Sequence, residues 1–271
     1  MKNAKRVLAI IAIVLILGMY AAAFVLSFQK SEHAQALFRG AIGATILVPV
    51  LLYLILMVAR VIRPQKSAVI DAIVFDVGLV LVDWPWEEAA AGLGISEEAI
   101  AAVRERVVRN PAWREFDRSL KPASEIVEDL VKLVPEYERE FREIVENMDE
   151  CCEEYWYTKD WIKGLKAKGY KLYYLSNWGR ERHDRVAARG VMDFTKWMDG
   201  GIWSYECHEV KPEREIYQRL IRKYHLNPSR TLFIDDSEAN VEGAKREGMS
   251  GIVFKDMADV TEKLAGIGVK W

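Results

Sequence analysis

The sequence predicts an α/β fold: a parallel sheet with helices on both faces, a helical cap inserted after the first strand, and two membrane-spanning helices ahead of it. Three observations predict it. Two charge-free runs open the chain, β-rich runs alternate with amphipathic stretches over its second half, and several of those runs stop on a polar residue.

Val7 to Gln29 holds 23 residues and Gly40 to Ala59 holds 20, neither run with a charge. Each matches the ~20 apolar residues that cross a bilayer. The expected spans are about 7–27 and 41–62, in an anchor of residues 1–66. A signal peptide is the alternative for the first, because "YAAAF" (Tyr20–Phe24) resembles a cleavage site. The apolar stretch continues past those alanines, which is long for a signal and favours an uncleaved span. A buried soluble helix is the alternative for the second, but it lacks a polar face, and Pro49 is tolerable in a membrane helix. Lys2, Lys5 and Arg6 precede the first span, and Arg60, Arg63 and Lys66 follow the second. The positive-inside rule then places both ends in the cytoplasm, so the expected localisation is the cell membrane with a cytoplasm-facing domain.

Residues 1–66 carry a net charge of +7 and the remainder −9. An acidic body argues against nucleic-acid binding, which wants a basic face. Cys151, Cys152 and Cys207 show no CxxC or zinc spacing and read as small packing residues in a reducing compartment.

After the polar link "RPQKS" (Arg63–Ser67), a domain of residues 67–271 begins with the strand "AVIDAIVFD". Three helical stretches follow: "SEEAIAAVRERVV" (Ser96–Val108), "SEIVEDLVKLV" (Ser124–Val134) and "EREFREIVENMDECCEEYW" (Glu138–Trp156). Their apolar residues recur at three or four, and Ser96 and Ser124 are the expected N-caps. This block is too long for one crossover and reads as a cap at about 86–156. "TKDWIKGLKAKG" is a helix ended by Gly169, "YKLYYLS" a strand, and "RERHDRVAARG" a helix closed by Gly190. "GGIWSY" is a short strand, followed by the helix "PEREIYQRLIRKYH" with Pro212 at its start. "TLFID", "EANVEGAKREG", "GIVF" and "MADVTEKLAGIG" complete the alternation as strand, helix, strand and helix.

Ligands of open parallel sheets bind beyond the carboxyl ends of the strands. There "AIVFD" ends on Asp76, "KLYYLSN" on Ser176 and Asn177, and "TLFIDD" on Asp235 and Asp236. Lys211 stands before a helix N-terminus, which favours an anion. The set supplies one carboxylate that could be a nucleophile, two that could hold a cation, a hydroxyl and a lysine. Mg²⁺ prefers oxygen ligands and sits between carboxylates and a substrate phosphate. In-line attack by Asp76 would give an aspartyl-phosphate that water later completes. One strand-terminal Asp could equally be a helix N-cap. Four such positions in order point to chemistry.

These residues resemble the haloacid dehalogenase-like hydrolases: "FDVGLVLVDW" looks like the first motif of that family, "YYLSN" the second, "VKPEREIY" the third and "FIDDSEANVEGA" the fourth. The resemblance covers roughly residues 68–260, and the closing part is most similar to the bacterial α-D-glucose-1-phosphatase branch. It implies a Rossmann-like core with an inserted helical cap, and a Mg²⁺-dependent phosphatase for a small phosphorylated metabolite such as a sugar phosphate. By the same resemblance Asp76 is the nucleophile and a Mg²⁺ ligand, joined by Asp236, by Asp235 directly or through water, and by the Gly78 carbonyl. Ser176 and Lys211 would grip the phosphate, with Asn177 beside them. The anchor lies outside the family pattern.

Many members carry at the place of Gly78 an Asp that protonates the leaving group, a step typically worth ~10²–10⁴-fold. Glycine cannot donate that proton. An anomeric leaving group needs less protonation, and a water, a cap residue or Asp83 could substitute, although Asp83 reads better as structural. Trp84, Trp86 and Trp178 fit a pocket lining or a packed cap hinge equally well. His33, His183, His208 and His225 read as surface or packing residues, and "EYEREFRE" as a solvated helix face. Two other readings compete: a catalytically weak or inactive membrane-associated binding protein, favoured by Gly78, and a metal-free dehalogenase, disfavoured by the Asp235–Asp236 pair. The sequence sets no oligomeric state.

Overall fold

β1 (Ala72–Phe75) is buried on both faces, and its alternation explains the layering: Ala72 and Val74 face one apolar cluster, Ile73 and Phe75 another. A strand so placed must lie mid-sheet with helices above and below. The computed structural model describes residues 69–271, together with Gly18, Tyr20, Ala21, Phe24, Val25, Ser27, Phe28, Val50, Leu51 and Leu54. The chain divides into two units, Met1–Lys66 and Ser67–Trp271. The expected spans at about 7–27 and 41–62 lie almost wholly outside the described residues, among which no helix is long and apolar enough to cross a membrane.

In the second unit, β1, β4 (Lys171–Ser176), β5 (Gly200–Trp203), β6 (Thr231–Asp235) and β7 (Ser250–Val253) form a parallel sheet in the order β5-β4-β1-β6-β7. The chain builds outward on one side of β1 through β4 and β5, then crosses to its other side for β6 and β7. β1 is therefore the switch point, where a crevice opens at the carboxyl edge. One face of the sheet packs Phe75, Leu172 and Ile234 with Trp161, Ile162 and Leu165 of α6 (Thr158–Ala167). The other packs Val74, Leu175 and Phe233 with Ile216, Tyr217 and Leu220 of α9 (Arg214–Tyr224).

A small antiparallel pair, β2 (Val82–Asp83) with β3 (Glu153–Glu154), forms the neck of the cap. Between them lie α1 (Trp86–Gly92), α2 (Glu97–Val103), α3 (Arg114–Arg118), α4 (Ala123–Val131) and α5 (Glu138–Asn147), around their own core of Ile100, Leu130, Phe141 and Ile144. Ser96 caps α2, its hydroxyl accepting from Ala99 N at 3.3 Å. Ser124 does not cap α4: the helix starts at Ala123 after Pro122, leaving Ser124 inside its first turn. The helix expected to run to Trp156 ends at Asn147, because the following segment returns through the neck as β3 and Asp149 is taken up by arginines of α7 (Arg180–Ala188). The remaining helices are α8 (Ser204–Cys207), α10 (Glu238–Arg246) and α11 (Met257–Gly266). Pro212 does not open α9, which starts two residues later at Arg214; the backbone of Lys211 is held instead by Asn177.

Candidate active site

Asp76 leaves β1 at the switch point with its backbone N–H still bonded to Ile234 O at 2.8 Å. Its Oδ1 accepts from Val77 N at 2.6 Å and from Ser176 Oγ at 2.8 Å, and pairs with Lys211 Nζ at 2.8 Å. Oδ2 takes part in no hydrogen bond among the described residues. One oxygen is thus fixed and the other presented.

Lys211 is only 1% exposed, and its ammonium also donates to Asp235 Oδ2 at 2.7 Å. Burial opposes its charge, but Asp235 and Asp76 more than offset this and hold its pKa above the usual lysine value. Asp235 is fully buried, with Oδ1 accepting from Ser237 N at 2.8 Å and from Asn240 Nδ2 at 3.0 Å. Burial raises its pKa against the pull of Lys211. Asp236 is the most open of the three acids; burial, then the charge of Asp76, pushes it up to about 6. Three carboxylates around one ammonium leave an excess of negative charge.

That excess suits a divalent cation. Asp76, Asp235 and Asp236 each offer an oxygen, all within 4.8 Å of one another. The Gly78 carbonyl accepts no hydrogen bond among the described residues, so it too is free to coordinate. This all-oxygen donor set fits Mg²⁺. Because Lys211, Ser237 and Asn240 already occupy both oxygens of Asp235, that residue is placed to act at one remove.

The expected residues Asp76, Ser176, Lys211, Asp235 and Asp236 converge. Asn177 differs in role. Its Oδ1 accepts from Lys211 N at 2.8 Å and its Nδ2 donates to Lys211 O at 3.0 Å, so it braces the lysine rather than reaching for phosphate. Asp83 accepts from Trp84 N at 2.9 Å and Tyr155 OH at 3.0 Å, which commits it to the neck. The tryptophans are packing residues: Trp86 is buried in the cap core, Trp178 in the sheet core, and Trp84 donates from Nε1 to Met148 O at 2.9 Å.

Several functional neighbours had no signal in the sequence. Asn240 is one. Asp149 is another, almost fully buried and accepting from Arg182 Nε at 2.9 Å and from Arg185. Arg182 also lies over the neighbouring rings of Trp84 and Trp113, tying α7 to the cap. Asp117, on α3, is buried at the seam between cap and sheet.

A capped parallel core with a nucleophile-like Asp, a buried Lys and two further acids at its switch point defines a class of hydrolytic enzymes. Residues 70–248 match the model of the haloacid dehalogenase-like hydrolases, and the chain belongs to that family. Over 115 residues it is 30% identical to the D-ribitol-5-phosphate phosphatase of Bacteroides thetaiotaomicron, a match covering 40% of this chain and 54% of that one. It is 26% identical over 102 residues to the bifunctional epoxide hydrolase 2 of Rattus norvegicus, covering 37% of this chain and 18% of that one. The chain thus spans about half the length of the first of these relatives and under a fifth of the second. Among solved structures, a family enzyme from Bacteroides thetaiotaomicron in complex with magnesium and inorganic phosphate has a TM-score of 0.53 at 20% identity, covering 70% of this chain and 98% of that one. The L-2-haloacid dehalogenase of Xanthobacter autotrophicus has a TM-score of 0.53 at 17% identity, covering 74% and 85%. These two likenesses show the fold.

Proposed function

We propose that the chain is a Mg²⁺-dependent phosphatase of a small phosphorylated metabolite, a sugar or alditol phosphate, held at the cytoplasmic face of the cell membrane by residues 1–66. The observation that carries the reading is the convergence of Asp235 and Asp236 on Asp76 beside a buried lysine. The phosphatase relative and the neighbour with bound magnesium and phosphate support it. Likeness to the α-D-glucose-1-phosphatase branch, where Gly also stands in the first motif, favours a sugar phosphate. The dehalogenase neighbour shares the fold, but a metal-free reaction leaves the three-acid cluster without a use.

Asp76 attacks phosphorus with one carboxylate oxygen, and the bond to the leaving oxygen breaks as the aspartyl-phosphate forms. Ser176 and Lys211 hold Oδ1 of Asp76 and orient the attack, while the Lys211 charge offsets that of the transferring group. Asn177 fixes Lys211 by its backbone. Asp76, Asp236 and the Gly78 carbonyl, with Asp235 behind them, would hold Mg²⁺, which when bound neutralises phosphate charge. Water then cleaves the aspartyl-phosphate and restores Asp76.

The test is phosphate release by the full chain in detergent from p-nitrophenyl phosphate, glucose 1-phosphate and D-ribitol 5-phosphate, with Mg²⁺ or with EDTA. Turnover is expected to need Mg²⁺ and to vanish in Asp76→Asn. Chloride release from 2-chloropropionate without Mg²⁺ would overturn the reading in favour of dehalogenation.

A further inference from the structure

α7 starts four residues beyond Ser176, whose hydroxyl bonds Asp76, so the helix is built directly onto the candidate site. Its arginines reach into the neck of the cap. Asp149, 1% exposed, takes Arg182 Nε on Oδ1 at 2.9 Å and Arg185 on Oδ2. Arg189, just past the end of α7, donates to Asp149 O at 2.9 Å and to Cys152 O at 3.0 Å. The outgoing linker is tied to the same point. Trp84 Nε1 donates to Met148 O, and the Arg182 guanidinium lies 5.1 Å from the Trp84 ring and 5.4 Å from that of Trp113. Trp84 packs against the cap core and the sheet core alike, so the two are continuous through it.

A separate set of contacts holds α3 of the cap to the core. Ser204, fully buried, donates from Oγ to Asp117 O at 2.7 Å and accepts from Trp178 N at 2.8 Å. Arg180 N donates to Ser119 Oγ at 3.0 Å. Arg118 Nη1 donates to His208 O at 3.0 Å, and Arg118 also pairs with Glu213. Gly179 lets Phe116 come so close that a Cβ there would lie 2.5 Å from its carbonyl oxygen. Domain closure turns on a few hinge residues while the facing surfaces part. Here the linkers themselves are clamped by a buried ion pair, and parting the faces would also uncover Ser204. The docked cap nevertheless leaves the site unsealed: 11% of the Asp76 side chain stays exposed, as does 40% of Leu79 in the first motif.

We propose that the cap is a fixed wall of the active site rather than a lid, locked to α7 by Arg182 as a positioning residue, and that small ligands exchange with Asp76 while the cap stays docked. Arg182 suits the task because one guanidinium serves three groups at once. Its Nε meets the Asp149 carboxylate of the returning linker, and its plane covers Trp84 of the outgoing linker and Trp113 of the cap core. Removing one partner of such a buried pair leaves the other charge uncompensated, which is strongly disruptive. The lock holds whatever group the site turns over, so it stands apart from the phosphatase reading.

The experiment is thiol labelling of the full chain in detergent with iodoacetamide, read peptide by peptide by mass spectrometry. Ser204→Cys puts a thiol in the seam, Cys152 is a buried thiol of the neck, and Cys207 is a partly exposed reference. A lid whose open state is populated at about 0.1–10% would protect the buried thiols by ~10–10³-fold. A fixed wall should protect both by more than ~10³-fold relative to Cys207, because only global unfolding exposes them. Arg182→Met should cut that protection at least ~100-fold, with Arg182→Lys between the two. Parental protection below ~10³-fold overturns the wall, and equal protection in Arg182→Met overturns the part given to Arg182. If Ser204→Cys or Arg182→Met does not fold, the ratio of Cys152 to Cys207 labelling in the unaltered chain decides alone. Arg182→Met should not gain kcat on p-nitrophenyl phosphate, since no opening step is released; a gain overturns the wall. A parent that turns over no ester sinks the phosphatase reading, and the labelling still decides the wall.

Discussion

Asp117 shows how burying a single acid makes stability depend on pH. In the folded chain it titrates near 7, against an ordinary value of 3.8. Its folded pKa is raised, so its contribution to stability is fully present below the unfolded value and is lost as pH rises through about 7. Asp117→Asn cannot ionise and escapes that loss. Between about pH 5 and 8 the variant should gain about 2–3 kcal/mol over the parent in metal-free buffer, measured by urea denaturation. A pH-independent difference would mean that Asp117 is already ionised or solvated in the fold. Asp76, Ser176, Asp235 and Asp236 were legible because each ends or follows a short buried strand, and Lys211 because it stands in the motif "VKPEREIY" just before Pro212, signals contained in a few neighbouring residues. Asp117 was not, because its burial depends on α3 folding down onto residues more than 60 positions away.

At the scale of elements, the cap is fastened at two places. The neck pairs β2 with β3, and the seam sets α3 against the loop after β4. Gly179 is needed at that seam for its missing Cβ, since its φ of −72° is open to any residue. Gly179→Ala would push the added carbon against Phe116 O and lift α3 from the loop. We expect about 1–3 kcal/mol of destabilisation and a raised KM, read by urea denaturation and steady-state kinetics. An unchanged KM would mean that the seam does not position the cap. Element types were mostly readable from periodicity, whereas their ends were less so. The helix expected through Trp156 stops at Asn147 because Asp149 is drawn to Arg182 and Arg185, a partnership set by tertiary contact. The N-cap expected at Ser124 fails because Pro122, already held in an extended conformation, starts the helix at Ala123.

For the whole molecule, the proposed division of labour is a catalytic unit of residues 67–271 and a hydrophobic N-terminal tether of residues 1–66. The proposal predicts that the full chain sediments with membranes and resists carbonate extraction, while the Asp76→Asn variant behaves the same way. Recovery in the soluble fraction would remove the tether from the model of function. The sequence by itself determined the alternation of strands and helices, the strand-end carboxylates, the motif lysine and the glycine that removes the usual acid, because all of these are local patterns of polarity and spacing. Only the tertiary structure decided that Asn177 braces Lys211, that Asp83 belongs to the neck, and that Asp117 is buried at the cap seam. Those outcomes depend on which side chains meet after distant segments pack, and a buried polar group takes its role from the partners that packing brings within hydrogen-bonding reach.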